Sequence, residues 1–175
     1  MKIENPTRHK LQEAEDFLSK MEQTLEDDNV FYYNLSAFVS AARSITLYMQ
    51  KQYKTGKSEK DRKDFDEWYR LKRQKMKDDP ELKYLFNARN EALHTETIET
   101  GATRIKISTV GLTVGKDTPE AEQVKEAESK PSAQSSPKTV RRFFPEFKDM
   151  DVMEFGEKQL VKLTKIVEEC EKRFP

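Results

Sequence analysis

Apolar positions along the chain recur at spacings that predict its elements in turn. Leu11, Ala14, Leu18, Met21 and Leu25 alternate steps of three and four, one stripe of an amphipathic helix over roughly 8–27. Asp27-Asp28-Asn29 supplies a break and the next N-cap. A second stripe, Phe31, Leu35, Phe38, Ala42, Ile45 and Met49, predicts a helix over roughly 30–53. Beside it run Asn34, Ala37, Ala41, Ser44 and Tyr48, mostly small, so another helix can approach closely and this helix is expected to be central with little free surface. Gly56 and its basic neighbours form a loop. Phe65, Trp68, Tyr69, Leu71 and Met76 mark a charged segment over about 59–77. Asp79-Pro80 then restarts the chain, with Asp79 as N-cap and Pro80 at the first helical position. Leu82, Leu85, Phe86, Ala92 and Leu93 carry this third limb, 59–96, to its end.

At Gly101 the period changes. Arg104–Ser108 and Val110–Val114 alternate with a period of two, which predicts one bent strand or a small hairpin over 103–115. Residues 118–138 are rich in Glu, Lys, Ser, Ala and Pro and almost free of large apolar side chains, the composition of a flexible linker. Order is expected to return at Phe143-Phe144-Pro145. Met153, Leu160, Leu163, Val167, Cys170 and Phe174 mark a last helix over about 150–173. Amphipathic stripes need one another, so a single all-α domain, an up-and-down four-helix bundle with the insertion 101–138, is the least demanding arrangement.

Composition bears this out in part and narrows the partners. Charged residues make up 37% of the 175 positions and hydrophobic ones 35%, a polar balance that suits a small bundle with wide solvated faces. The 10 Phe, 6 Tyr and 1 Trp speak against wholesale disorder. Net charge is zero, yet Lys51–Lys77 carries 11 Lys/Arg against 5 Asp/Glu, while the first helix is acidic. Such a run is either a solvated helix face or a strip that neutralises phosphates. With one cysteine, Cys170, and two histidines, His9 and His94, neither a disulfide framework nor a zinc site is expected, and no cofactor. No apolar run approaches the ~20 residues of a membrane span, and the first residues lack the apolar core of a signal peptide, so the expectation is no membrane and a cytoplasmic location.

One run concentrates the chemistry: Arg89-Asn90-Glu91-Ala92-Leu93-His94. Arg89 lies four residues from both Leu85 and Leu93, inside the apolar stripe, where a charge is costly unless paired or beside water. Asn90 and His94, four apart, share a helix face. Arg89 and His94 are five apart, about 140° around an ideal helix, so they converge only if the helix ends near His94 or a second copy supplies the partner residue. These residue types suit RNA cleavage by its own 2′-hydroxyl. Histidine moves protons near neutrality, arginine stabilises phosphoryl oxygens, and asparagine orients either. The same residue types also make an ordinary salt bridge and helix-end cap. Arg43, between Val39 and Leu47, reads either as a snorkelling or ion-paired side chain or as a phosphate contact, and Trp68 and Tyr69 either as core or as base-stacking platforms.

Arg89-Asn90-x-x-x-His94 resembles the HEPN motif, an Arg, a polar residue, three variable residues and a His, set near the end of the third main helix of a four-helix pattern. The segment from Phe31 to Thr46 is also similar to the second helix of bacterial HEPN-like proteins. The resemblance spans about 8–96 and 140–175. It implies a metal-independent endoribonuclease, commonly a toxin or antiviral effector, and a homodimer whose two motifs meet at the interface. It carries Arg89 and His94 over as catalytic and Asn90 as supporting. An antitoxin or regulatory protein is a further implied partner. Some such toxins carry a Tyr two residues after the His as a target for nucleotidylation; this chain has Glu96 there. Other members have lost activity and bind RNA or nucleotide, or serve as dimeric interaction modules.

Overall fold

The computed structural model describes residues 4–94, 98–106 and 138–175, and of 89–94, 104–106 and 138–139 the backbone alone. Side-chain caps set where its helices begin. Helix α1, Pro6–Gln23, starts where the Asn5 Oδ1 accepts the Arg8 N–H at 3.0 Å. It stops earlier than the apolar stripe suggests. The Thr24 hydroxyl donates to the Lys20 carbonyl at 2.7 Å and ends the helix, leaving Leu25 half-buried in the following turn. Helix α2, Asp28–Lys54, begins where the Asp27 Oδ1 accepts the N–H groups of Asn29 and Val30 at 3.1 and 3.0 Å. Gly56, at φ +71°, turns the chain into α3, Glu59–Asp78, capped by Ser58.

The limb expected over 59–96 is two helices. Asp79 adopts an extended conformation (φ −81°, ψ 113°), as the residue before a proline prefers, and its Oδ1 accepts the Glu81 and Leu82 N–H groups at 3.0 Å each. Helix α4 then runs Pro80–His94. Strand β1, Gly101–Lys106, pairs antiparallel with β2, Lys138–Phe143, in a register from Gly101↔Phe143 to Lys106↔Lys138. The strand expected within 103–115 therefore finds its partner beyond the insertion, and Lys138 belongs to that partner. Residues 107–115 of the expected hairpin and 118–137 of the expected linker lie outside the described residues. Helix α5, Val152–Arg173, is capped by Asp151, whose Oδ1 accepts the Met153 N–H at 2.8 Å.

The described part of the chain is thus mostly helical, with one small sheet. Helix α2 sits in the middle and packs against all four other helices. Its stripe, Phe31, Leu35, Phe38, Ala42, Ile45 and Met49, is buried with Leu11, Ala14, Leu18 and Met21 of α1 and Phe155, Leu163, Val167 and Cys170 of α5. Burial of each large side chain contributes roughly 1.5–3 kcal/mol. The expectation that α2 has little free surface fails on one side, where Val30, Tyr33, Leu47 and Tyr48 are exposed, Tyr33 to 68%. Tyr53, Phe65, Trp68, Tyr69 and Phe174 form one aromatic cluster, with Phe65 stacked on Tyr69 at 5.8 Å and 8°. Tyr84, Phe144, Phe147 and Phe155 form another. The sheet is fastened to the α1–α2 corner by Arg142. Its buried guanidinium donates to the Leu25 carbonyl at 2.7 Å and to Asp28 at 2.6 Å, and lies 4.2 Å from the centre of the Phe31 ring. Among the described residues no helix is long and apolar enough to cross a membrane.

Candidate functional site

Helix α4 carries the motif residues on its last turns. The side chains of Arg89, Asn90 and His94 lie outside the described residues, but the helical backbone fixes which side each position occupies. Lys83, Asn87, Asn90 and His94 follow at steps of four, three and four, a single side of the helix. Leu82, Leu85 and Ala88, each no more than 3% exposed, occupy another, and position 89 falls beside Leu82 and Leu85. The positions of Arg89 and His94 remain about 140° apart on this helix.

The side of α4 bearing Lys83 and Asn87 closes a cavity of about 180 Å³ against α2 and α3. Arg43 and Thr46 of α2, Tyr69, Arg73 and Lys77 of α3, and Lys83, Phe86 and Asn87 of α4 line it. Its floor is buried Thr46 and Met76. Among the described residues, four side chains in this lining are cationic and none is acidic. Arg43 is half-buried and held from two sides. Its guanidinium lies 4.9 Å from the centre of the Phe86 ring, and its Nη1 donates to the Thr46 hydroxyl at 3.0 Å. Arg73, Lys77 and Lys83 have no carboxylate within ion-pair distance among the described residues, whereas Arg8, Lys10, Lys54, Lys72, Lys158 and Lys162 each do. Unneutralised like charges drawn to one cavity repel one another, and an anion placed among them relieves that repulsion. The Tyr69 hydroxyl accepts from the Gln50 Nε2 at 3.1 Å, so this ring is fixed on both its face and its tip.

The other end of α4 is anchored to α5. Lys162 donates to Asp79 at 2.6 Å and to Glu81 at 2.7 Å, Lys158 to Glu81 at 2.6 Å, and the buried Gln159 Nε2 to Glu81 at 3.0 Å. Burial pushes the Glu81 carboxyl up, but the donors on Lys158, Lys162 and Gln159 outweigh it and bring it down to about 2. Asp79 is likewise lowered: burial opposes, and the Lys162 ammonium and two backbone N–H groups prevail. Lys162 is raised for the reciprocal reason, burial being outweighed by the two carboxylates. Among the described residues the Gln159 Oε1 is buried without a partner, at a cost of about 1–3 kcal/mol.

Arg43 therefore lies at the cavity, and part of the basic run, Arg73 and Lys77, joins it there. Trp68 belongs to the core, packed against Phe65 and Phe174, and the Tyr69 ring is stacked against Phe65. Lys83 and Asn87 were not singled out by sequence reasoning. Their signal was present, since the face defined by Asn90 and His94 extends back to 87 and 83 at helical spacing.

No curated protein and no solved structure matches the chain. One family model does, over residues 5–139, a stretch that contains every residue of the basic cavity and the whole of the Arg89–His94 run. That match covers more than half of the chain, which thereby belongs to the family described as bacteriophage lambda protein ea47.

Proposed function

We propose that the protein is a metal-independent endoribonuclease of HEPN type, acting on single-stranded RNA in the cytoplasm. The observation that carries this reading is the basic cavity, without a carboxylate among the described residues, lining the side of α4 that continues to positions 90 and 94. An RNA strand held there by Arg43, Arg73, Lys77 and Lys83 runs past the motif, since Asn87 and His94 are about 10 Å apart along the helix at 1.5 Å per residue. In the proposed reaction His94 takes the proton of a ribose 2′-hydroxyl. The 2′-oxygen bonds to phosphorus and the bond to the 5′-oxygen breaks. An acid returns a proton to that oxygen, leaving a 2′,3′-cyclic phosphate. Arg89 neutralises the phosphorane, and Asn90 orients the imidazole or a phosphoryl oxygen.

With α4 ending at His94, positions 89 and 94, about 140° apart, can meet within one chain or across two; we propose the second, a homodimer in which the α4 helices of two copies complete each other's site. An antitoxin-like partner fits the same reading, without nucleotidylation of a Tyr two residues after His94, because Glu96 stands there. The test is cleavage of unstructured RNA in EDTA by wild type and His94→Ala. Loss of the proton-transfer group is expected to slow cleavage by on the order of 10²–10⁴-fold while RNA binding persists. Full activity in His94→Ala, or a requirement for Mg²⁺, overturns the mechanism. A catalytically silent RNA-binding protein is the second reading. It is favoured by the placing of the cavity's cations, which could meet a phosphate without any group of the motif, and it prevails if both proteins bind equally and neither cuts.

A further inference from the structure

The lining of this cavity carries information about which part of a nucleic acid it takes. Four cations converge on one small volume, more than an internal phosphodiester with its single negative charge requires. A terminal phosphate monoester carries about −1.5 to −2, and a terminal polyphosphate more. The volume of about 180 Å³ is far above the roughly 10–15 Å³ that holds one water, so whole phosphoryl groups can enter. The aromatic lining does not present a base platform. The guanidinium of Arg43 lies over the Phe86 ring, and Tyr69 is stacked on Phe65. Among the described residues the groups left to meet a ligand are mainly N–H donors on Arg43, Arg73, Lys77, Lys83 and Asn87, and four of these five side chains are cations, which favours anionic phosphate oxygens.

We infer that the cavity formed by α2, α3 and α4 is a receptor for a terminal phosphate or polyphosphate, and that its natural source is the 5′ end of an RNA strand. This rests on the proposed RNA reading of the site and adds to it a preference for strand ends. A free nucleoside triphosphate offers the same chemistry, and the test separates the two.

The probes are one unstructured RNA dodecamer, 2′-O-methylated throughout so that the proposed 2′-hydroxyl chemistry cannot cut it, labelled at its 3′ end and bearing a 5′-hydroxyl, a 5′-monophosphate or a 5′-triphosphate. Binding to the full chain is followed by fluorescence anisotropy in EDTA at fixed ionic strength, with unlabelled adenosine and guanosine triphosphates as competitors. The triphosphate RNA is expected to bind at least tenfold more tightly than the hydroxyl RNA, with the monophosphate between. The double variant Lys77→Ala/Lys83→Ala, whose side chains are exposed and unpaired among the described residues, should keep the wild-type melting temperature and erase that difference. Competition by free triphosphates as strong as that of the RNA end keeps the phosphate receptor and overturns RNA as its source. Equal binding of all three RNAs, weakened equally in the variant, overturns the end preference and leaves the RNA reading standing. Absence of binding to any RNA overturns both.

Discussion

Replacing Glu81 by Gln removes one charge from the cluster that ties α4 to α5, and the outcome can be worked from the geometry. Glu81 accepts from Lys158, Lys162 and Gln159, and these donors hold its carboxyl near 2 against an ordinary 4.5. At about 1.4 kcal/mol per pH unit that difference corresponds to roughly 3 kcal/mol of preference for the ionised, folded form. The Lys158 side chain is 49% exposed, so solvent screens part of it, and about 1–2 kcal/mol is the expected loss in Glu81→Gln at neutral pH. Because the folded carboxyl is depressed, its contribution is fully present above about 4.5. It fades as pH falls and is gone once the folded group is itself protonated near 2. Urea unfolding of both proteins at several pH values between 7 and 2 measures this directly. The curves of stability against pH should converge between about 4.5 and 2. A gap between the proteins that is the same at pH 2 as at pH 7, or no gap at pH 7, would refute the argument. Since α4 carries Lys83, Asn87 and the motif, the same variant should also weaken RNA binding if the anchor sets the helix in place.

Further expectations concern the packing. Arg142→Ala should cost about 2–4 kcal/mol in a denaturant titration, because it removes the buried donor to the Leu25 carbonyl, the ion pair to Asp28 and the contact with the Phe31 ring; Arg142→Lys should recover only part, lacking the planar fork that reaches both oxygens. Gly156→Ala should destabilise by about 1–2 kcal/mol despite alanine's better helix propensity, since its Cβ would stand 2.5 Å from the Leu18 Cδ1 and 3.4 Å from the Phe38 ring; thermal melting reads this, and a more stable variant would show that Leu18 moves aside freely. Cys170 is buried and its thiol is pushed up to about 12 by burial, so at pH 8 a thiol reagent should label it only after unfolding.

What the sequence disclosed and what it withheld divide along a physical line. The helices α1, α2 and α5 were legible because their apolar positions repeat at helical spacing, and the starts of α2 and α4 because a cap residue stands at Asp27 and at Asp79 before Pro80. The partner of β1 was not. It lies more than thirty residues away, and in Lys138–Phe143 the side chain that turns inward beside Val140 is Arg142, a residue whose type suggests solvent. A buried arginine satisfied by a carbonyl, a carboxylate and a ring leaves no hydrophobic alternation to read. In the cavity Arg43 stood out because it is a charge among apolar neighbours on one helix. The spacing places Lys83 and Asn87 on the face of Asn90 and His94, but that α2 and α3 close a cavity against this face is not contained in single-helix periodicity.

The pairing of Lys106 with Lys138 has an architectural consequence. Opposed residues in an antiparallel ladder lie about 4.5–5.5 Å apart, so the chain departs for residue 107 and returns at 138 through a doorway one ladder rung wide. Whatever length of polypeptide passes through it, the frame on the near side meets the same two endpoints. Doubling that length costs only about 0.6 kcal/mol in closure entropy. The clasp held shut by Arg142 thus fixes both ends of the segment between Lys106 and Lys138, and chain closure by itself sets little penalty on how long that segment is.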